Sequence, residues 1–366
     1  MPTPNWINAA DAGGIQQALD ALPDAGGTVY IPSGTYEISN TIDLALKEKQ
    51  HLCIQGDGRT TVLVNTDAGG APLLHLVGVV GSWWPDLKIT ISGITFVGNH
   101  ASGDAVVVEY PNDTMIDACF FYGHGGKAVY FQHHGTNATV RDCWMRDCKR
   151  ALYAENLHHL TMHGNQTRSL KDGQVQAEHV YIEKNCREVR IVNNHFAYGQ
   201  AEGIILDGTA QHVIANNTIE GFTKGIYAVN CRDMVVNANY LHSPKGVHLV
   251  GANDAFSITG NTMINNAEGA VVIEDANGSG GHVISGNVIR KSVYKGQGGI
   301  ALGDSDGCVV NGNVIEDVEA GAAISSAGGR HVIAANRIRR NAGVAIDADG
   351  CEVCGNLADG GRERDF

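Results

Sequence analysis

One phrase returns along the chain: LTMHGNQT, VRIVNNHF, HVIANNTI, MVVNANYL, FSITGNTM, HVISGNVI, CVVNGNVI and HVIAANRI. Aligned, it places Asn165, Asn194, Asn217, Asn239, Asn261, Asn287, Asn313 and Asn336 in one column, with Asn356 as a further member. Successive members lie 20 to 29 residues apart, and Cys143 and Cys119 extend the column toward the N-terminus. Self-similarity at such a period marks a stacked repeat and decides the fold before any local motif does. Three short strands and three turns take roughly twenty residues, so each repeat is expected to be one coil of a parallel β-helix. Asparagine tolerates the left-handed backbone of a tight turn, and stacked asparagines can hydrogen-bond from coil to coil. Apolar residues sit three before and two after each ladder Asn, as Ile214 and Ile219 do around Asn217. Those positions point inward. Helical readings fail, because the alternation has period two and Gly or Asn interrupts each potential helix.

The opening GGIQQALDALPDAGGTVYIPSGTYEIS resembles the N-terminal cap and first coil of the pectate-lyase-like right-handed β-helix superfamily, and the later coils resemble its generic repeat. The likeness covers nearly the whole chain. It implies an all-β, right-handed parallel β-helix of about eleven to twelve coils in one domain, residues 1–366. Within it, 1–28 is the cap, 29–356 the coils and 357–366 a polar tail. Ile15, Leu19 and Leu22 mark the apolar side of a short amphipathic helix that would close one open end. The superfamily includes lyases, hydrolases, epimerases, fructan transferases, phage tailspikes and non-catalytic surface proteins. The resemblance therefore implies the fold and leaves the activity open.

A net charge of -13 leaves nothing to neutralise phosphates, which argues against nucleic-acid or anionic-membrane partners. No stretch approaches ~20 consecutive apolar residues, so no membrane insertion is expected. The start, MPTPNWINAADAGG, shows no basic region followed by an apolar core, so no export signal is visible. An extracellular or cell-surface place is nevertheless expected for a protein that meets polymers. The cysteines, 9 in all, lack metal-ligand spacing, and Cys351 with Cys354 forms a lone CxxC, read as structural. No metal ligands are expected from this spacing.

Each repeat holds a second strand before its ladder segment: AVVVEY (105–110), AVYFQH (128–133), ALYAEN (151–156), HVYIEK (179–184), GIILDG (203–208), GIYAVN (225–230) and GVHLVG (246–251). Positions two and four are apolar throughout, so positions one, three and five are expected to face outward. Position three gives Val107, Tyr130, Tyr153, Tyr181, Ile205, Tyr227 and His248; position five gives Glu109, Gln132, Glu155, Glu183, Asp207, Val229 and Val250. Position one is small except at His179, whose imidazole is expected in a shallow groove. Like charges on adjacent strands destabilise a sheet, so Glu155, Glu183 and Asp207 in three consecutive coils call for a compensating proton, cation or substrate. The largest insertion, TRSLKDGQVQAE (167–178), carries Lys171 and Asp172 and would form a wall beside this surface.

Flat tyrosines suit sugar rings, and carboxylates accept hydroxyl hydrogen bonds. The first expectation is an enzyme that cleaves or transfers glycosidic bonds of a polysaccharide or oligosaccharide by paired carboxylates: Glu183 with Asp207 or Glu155. Glu109, Tyr130, Gln132, His133, Tyr153, Lys171, Asp172, Lys184, Tyr227 and His248 would bind the substrate. The second is a lyase or C5-epimerase on a uronic-acid polymer, with His179, Tyr181 or Lys184 moving the proton and Ca²⁺ on the acidic column. The third is a non-catalytic carbohydrate-binding spike or adhesin. The first needs no cofactor, and trimers occur among the spike-like members. Gly123-His124-Gly125 resembles a polygalacturonase piece, but its companion Asp-Asp is missing, so it is read as chance.

Overall fold

The computed structural model describes residues 6–82, 84–169, 178–275, 279–292, 299–318 and 321–359. They form a parallel β-solenoid in which each turn gives one strand to each of three sheets, and one sheet collects 14 strands. About 14 turns replace the eleven to twelve expected. The difference arises near the N-terminus. Thr95 pairs with Phe120, so Ile94 holds the corner place that Cys119 takes one coil later. An isoleucine there hides the coil from an asparagine-based alignment.

The chain packs as two compact units, Met1–Arg190 and Ile191–Phe366. In the first unit, one sheet runs through Ile42–Ala45, Leu74–Val77, Val106–Glu109, Lys127–Gln132, Arg150–Ala154 and Val180–Ile182, all parallel. In the second unit the corresponding sheet runs through Glu202–Asp207, Lys224–Val229, Lys245–Gly251 and Gly269–Asp275. This is called the first sheet below; the second and third follow it around each turn. Strands form because apolar residues alternate and β-branched side chains pack on a pleated surface. The inward set of the first unit, Val106, Val108, Val129, Phe131, Leu152, Ala154, Val180 and Ile182, is fully buried. Phe96 and Phe121 stack in the same core with ring centres 5.0 Å apart.

Between the second and third sheets the asparagines form the expected ladder. Asn217 donates its backbone N–H (3.0 Å) and its amide (3.0 Å) to Asn239 Oδ1. Asn239 repeats this toward Asn261 at 2.9 and 3.0 Å. Each amide also donates to a carbonyl of the preceding coil, as Asn239 does to Ile214 at 2.8 Å. The left-handed residue, however, is the one before the ladder Asn: Asn216 (φ 56), Ala238 (φ 53) and Gly260 (φ 64). The ladder Asn needs its side chain for the stack, so the neighbour takes the positive φ. In the first unit Cys143 donates its backbone N–H to Asn165 Oδ1 at 3.0 Å, and its thiol lies 3.7 Å from the Ile116 carbonyl.

The helix spans Ile15–Asp20 and buries Ile15, Ala18 and Leu19, while Leu22 is only half-buried. Gln16 pairs its side-chain amide with the backbone of Asp43, donating to the carbonyl and accepting from the N–H at 2.9 Å each. That contact satisfies backbone groups of the edge strand Ile42–Ala45 and blunts it against further pairing. The expected tail begins later than 357, because Leu357–Asp359 is a strand paired with Arg337–Arg339. Buried histidines are repeat architecture: His282 and His331 accept backbone N–H groups from Phe256 (3.2 Å) and Cys308 (3.1 Å).

Candidate functional site

The register Val107, Tyr130, Tyr153, Tyr181 holds across the first unit's first sheet. The tyrosines are half-buried and project from the outer face. Tyr130 and Tyr153 meet edge to face with ring centres 5.1 Å apart, and Tyr153 stacks on Tyr181 at 5.1 Å. Ala154 pairs with Ile182, so Glu155 and Glu183 follow one residue on, in neighbouring coils. Tyr153 donates its phenol proton to Glu183. Glu155 Oε1 accepts the His133 backbone N–H at 3.4 Å.

This packing decides what the phenols can do. Burial, with the Glu155 charge next, pushes Tyr130 up to about 12. Burial followed by the hydrogen bond and charge of Glu183 raises Tyr153 further. Both phenols stay protonated at physiological pH and act as hydrogen-bond donors rather than bases.

His179 is not in a groove. It is buried, with Nδ1 2.5 Å from Thr167 Oγ1, and burial lowers it to about 3. The cause is a break in alternation at the start of these strands. In Lys127–Gln132 the order is half-buried, buried, buried, half-buried, buried, half-buried, and Glu202–Asp207 and Lys224–Val229 repeat it. Positions one and two therefore both face inward, and Ala105, Ala128 and Ala151 are buried with His179. His124, of the Gly-His-Gly match, is buried too and held at about 4 by desolvation.

The same break turns the residue before position one outward, which adds a cationic row that the alternation did not reveal. Lys127 pairs in register with Arg150. The Lys127 ammonium lies 4.0 Å from the Tyr130 ring centre and 3.3 Å from Asp104. The Arg150 guanidinium lies 5.4 Å from Tyr153 and 5.8 Å from Tyr181 and pairs with Glu178. Their common place, directly before the aligned strands, is the signal that identifies them.

Column three also extends upstream. Asp43 and His75 stand in register with Val107. His75 Nδ1 lies 2.6 Å from Asp43, and Nε2 lies 3.0 Å from Glu109, whose other oxygen is 3.6 Å from His133 Nε2. Gln132, in register with Glu109, is half-buried beside Tyr130, and Lys184 is exposed beyond its strand. Lys171 and Asp172 lie outside the described residues.

In the second unit Asp207 ends its strand in register with Val229. Tyr227 faces His248 with ring centres 5.2 Å apart, and the Lys224 ammonium sits 3.9 Å from the Tyr227 ring centre and 2.8 Å from Glu202. His248 is buried rather than displayed, with Nε2 3.2 Å from Glu274. Burial, then the Lys245 charge, lowers its pKa.

Among the described residues no three His, Cys, Asp or Glu side chains gather as a metal-holding group. Cys148 and Cys186 are interior, and burial raises both thiols to about 12.

Solved structures of similar shape share little sequence with this chain. The Azotobacter vinelandii mannuronan C-5 epimerase AlgE6 A-module superposes with a TM-score of 0.64 at 17% identity, covering 97% of this chain and 100% of that one. The Dettilon tailspike protein gives 0.61 at 13% identity, covering 97% and 68%. A hyperthermoactive exopolygalacturonase from Thermotoga maritima gives 0.51 at 10%, covering 100% and 94%. At these identities the likeness is one of fold. No curated protein sequence matches the chain. The family model described as "Periplasmic copper-binding protein (NosD)" matches residues 87–268 and 200–356. Matched by that model over most of its length, the chain belongs to the NosD family, on a pectate-lyase-like right-handed parallel β-helix.

Proposed function

We propose that the protein is a carbohydrate-active enzyme that cleaves or transfers glycosidic bonds of a polysaccharide on the first sheet of its first unit. The observation that carries this reading is the row Tyr130, Tyr153 and Tyr181 in register, with Glu155 and Glu183 two residues further on in neighbouring coils. The phenol rings offer apolar faces to sugars, and the carboxylates flank the same strip. Neighbouring coils lie about 4.8 Å apart, close to the carboxylate spacing of retaining glycosidases. Glu155 and Glu183 divide the acid and nucleophile roles between them, and Tyr153 orients Glu183 by donating to it. Tyr130, Gln132, Glu109 and His133 extend the binding surface along the sheet. Asp207, Tyr227 and His248 belong to the corresponding face of the second unit, where Tyr227 and Asp207 are the binding groups.

A second reading is elimination or epimerisation on a uronic-acid polymer. Lys127 and Arg150 favour it, since cations at the foot of the tyrosines would neutralise a sugar carboxylate. Ca²⁺ on the acidic column belongs to that reading. Against it, Tyr130 and Tyr153 are held protonated and His179 is buried, which removes these three as bases. The solved structures named above include an epimerase of mannuronan and a polygalacturonase, which supports a polysaccharide partner for either reading. The family description names copper. The described residues do not fit that metal: no three His, Cys, Asp or Glu side chains among them gather to hold it, Cys148 and Cys186 are buried and protonated, and His75, His159 and His282 are each engaged by carboxylates. No step is routed through it. An extracytoplasmic place accords with the family description and with a polymer substrate. No helix among the described residues is long and apolar enough to cross a membrane.

The test is a panel containing polygalacturonate, alginate and neutral glucans, read for new reducing ends and for ultraviolet absorbance. New reducing ends without absorbance, reduced about 10²- to 10⁴-fold by Glu183→Gln, support the first reading. Absorbance from unsaturated uronates supports the second. A changed uronate epimer ratio in alginate, read by NMR, also supports the second; binding without any of these products, or full activity in both Glu155→Gln and Glu183→Gln, overturns the catalytic assignment.

A further inference from the structure

We propose that a second carbohydrate-binding site, for a neutral glycan, lies in the first unit away from the tyrosine strip, in the cleft between Trp84 and the corner residues Asn112 and Thr136. The cleft encloses about 440 Å³ and is lined by His51, Trp84, Asp86, Lys88, Asn112 and Thr136 among others. That volume lies within the range of small-molecule sites. Its walls come from segments distant in sequence, so no single motif announces it.

Two observations point to a ligand independently. Trp84 leaves 71% of its surface exposed, an uncommon display for the largest apolar side chain. Asn112 and Thr136, which also line the cleft, are buried, yet Asn112 Oδ1 and Thr136 Oγ1 have no hydrogen-bond partner among the described residues. The Asn112 amide nitrogen is already used, donating to the Tyr110 carbonyl at 3.2 Å, which fixes the orientation of its oxygen. Asn112 and Thr136 stand in register on adjacent strands, so their free groups form one row. Buried polar atoms are nearly always paired, and two orphans side by side on a cleft wall call for a polar guest.

The chemistry of the guest follows from the lining. An indole face takes the C–H face of a pyranose, while Asn112 Oδ1 accepts from one hydroxyl and Thr136 Oγ1 gives to or accepts from another. The charges are mixed: His51 Nε2 lies 3.8 Å from Asp86 Oδ1, and Lys88 and Asp113 add one of each sign. Without an excess of cations the cleft has no preference for uronates or phosphates. A neutral hexose unit meets all of these groups. The ligand class rests on the cleft's own residues and stands whether or not Glu183 is catalytic.

The experiment uses the full chain carrying Glu183→Gln, so that any turnover at the tyrosine strip is silenced. Cellohexaose, maltohexaose, mannohexaose and hexagalacturonate are the probes, read by titration calorimetry and tryptophan emission. At least one neutral hexasaccharide is expected to bind with a blue shift. Trp84→Ala should weaken it about tenfold or more and Thr136→Val about threefold, with melting temperatures unchanged. Hexagalacturonate binding should be indifferent to both changes. The proposal fails if Trp84→Ala alters no probe's affinity, or alters only hexagalacturonate. It also fails if sedimentation shows a dimer that Trp84→Ala abolishes, which would make the indole a contact between copies of this chain. Turnover by the unmodified protein is scored separately, so this proposal and the catalytic assignment fail by different readings.

Discussion

Replacing Asn261 by alanine removes one rung of the ladder and leaves a countable deficit. Asn261 Oδ1 accepts the Asn239 backbone N–H at 2.9 Å and the Asn239 amide at 3.0 Å. Its own amide donates to the Val236 carbonyl at 2.9 Å and to Asn287 Oδ1 at 3.0 Å. Alanine deletes all four and strands two buried donors on Asn239. A satisfied bond is worth about 1 kcal/mol, but a stranded buried donor costs about 1–3 kcal/mol, so the expected loss is about 4 kcal/mol. Asn261→Cys should be milder, about 2 kcal/mol, because Cys119 and Cys143 occupy the same corner of the first unit with thiols turned to carbonyls. Asn261→Asp keeps the acceptor but aims a second carboxylate oxygen at Val236 O and Asn287 Oδ1. Its carboxyl pKa must therefore rise in the fold, so the deficit of this variant relative to the parent chain should shrink as the pH falls. Urea unfolding, with hydrogen exchange of the Asn239 amide as a local probe, measures each case. A loss below about 1 kcal/mol for alanine, or an aspartate deficit relative to the parent that does not change with pH, would refute the ladder as a stabilising device.

Acid should weaken the fold through buried imidazoles: desolvation lowers His124 and His212 to about 4 and His179 to about 3. The unfolded chain takes up protons near 6.5 while these sites do not, so their contribution is present above pH 6.5 and lost as the pH falls toward 3–4. At pH 5 each costs about 2 kcal/mol at most, and an unchanged urea midpoint between pH 7 and pH 5 would contradict this. At the alkaline end, Tyr130 should ionise near 12 and Tyr153 later. Their contribution, present below pH 10, disappears as the pH climbs through those values. Spectrophotometric titration should show late phenols, one of them missing in Tyr153→Phe. Ala238 and Gly260 hold equivalent left-handed positions, φ 53 and 64, and a Cβ on Gly260 would meet nothing within 4 Å. Ala238→Gly should stabilise by about 0.5 kcal/mol and Gly260→Ala destabilise by about 1 kcal/mol, read as opposite shifts in melting temperature.

The coil was legible because the ladder asparagine cannot be replaced without leaving a trace: it bonds across the corner, so it recurs. The aromatic row was legible for a similar reason, since strand alternation carries Tyr130, Tyr153 and Tyr181 to one face. What alternation misses is a change of parity. Ala128 and Ala151 are neutral toward either face, so two consecutive inward residues look no different from one in and one out. The misplacing of His179 follows from that, and the outward turn of Lys127 and Arg150 toward the tyrosines, which alternation leaves at the strand margin, is hidden for the same reason. Asp43 and His75 escaped because their strands precede the first alignable ladder corner. The cleft around Trp84 escaped because it is assembled from corners of several coils.

In the second unit, Asn217, Asn239 and Asn261 follow one another at intervals of 22 residues with the same bonds at each step. Every circuit there presents to the next the surface it received from the one before. A deletion or duplication of one full interval would rejoin a rung to an equivalent rung, and the 26-residue step from Asn261 to Asn287, with the same two bonds, shows that extra residues are taken up between the rungs. A lineage could thereby lengthen its solenoid coil by coil while keeping every join already tested.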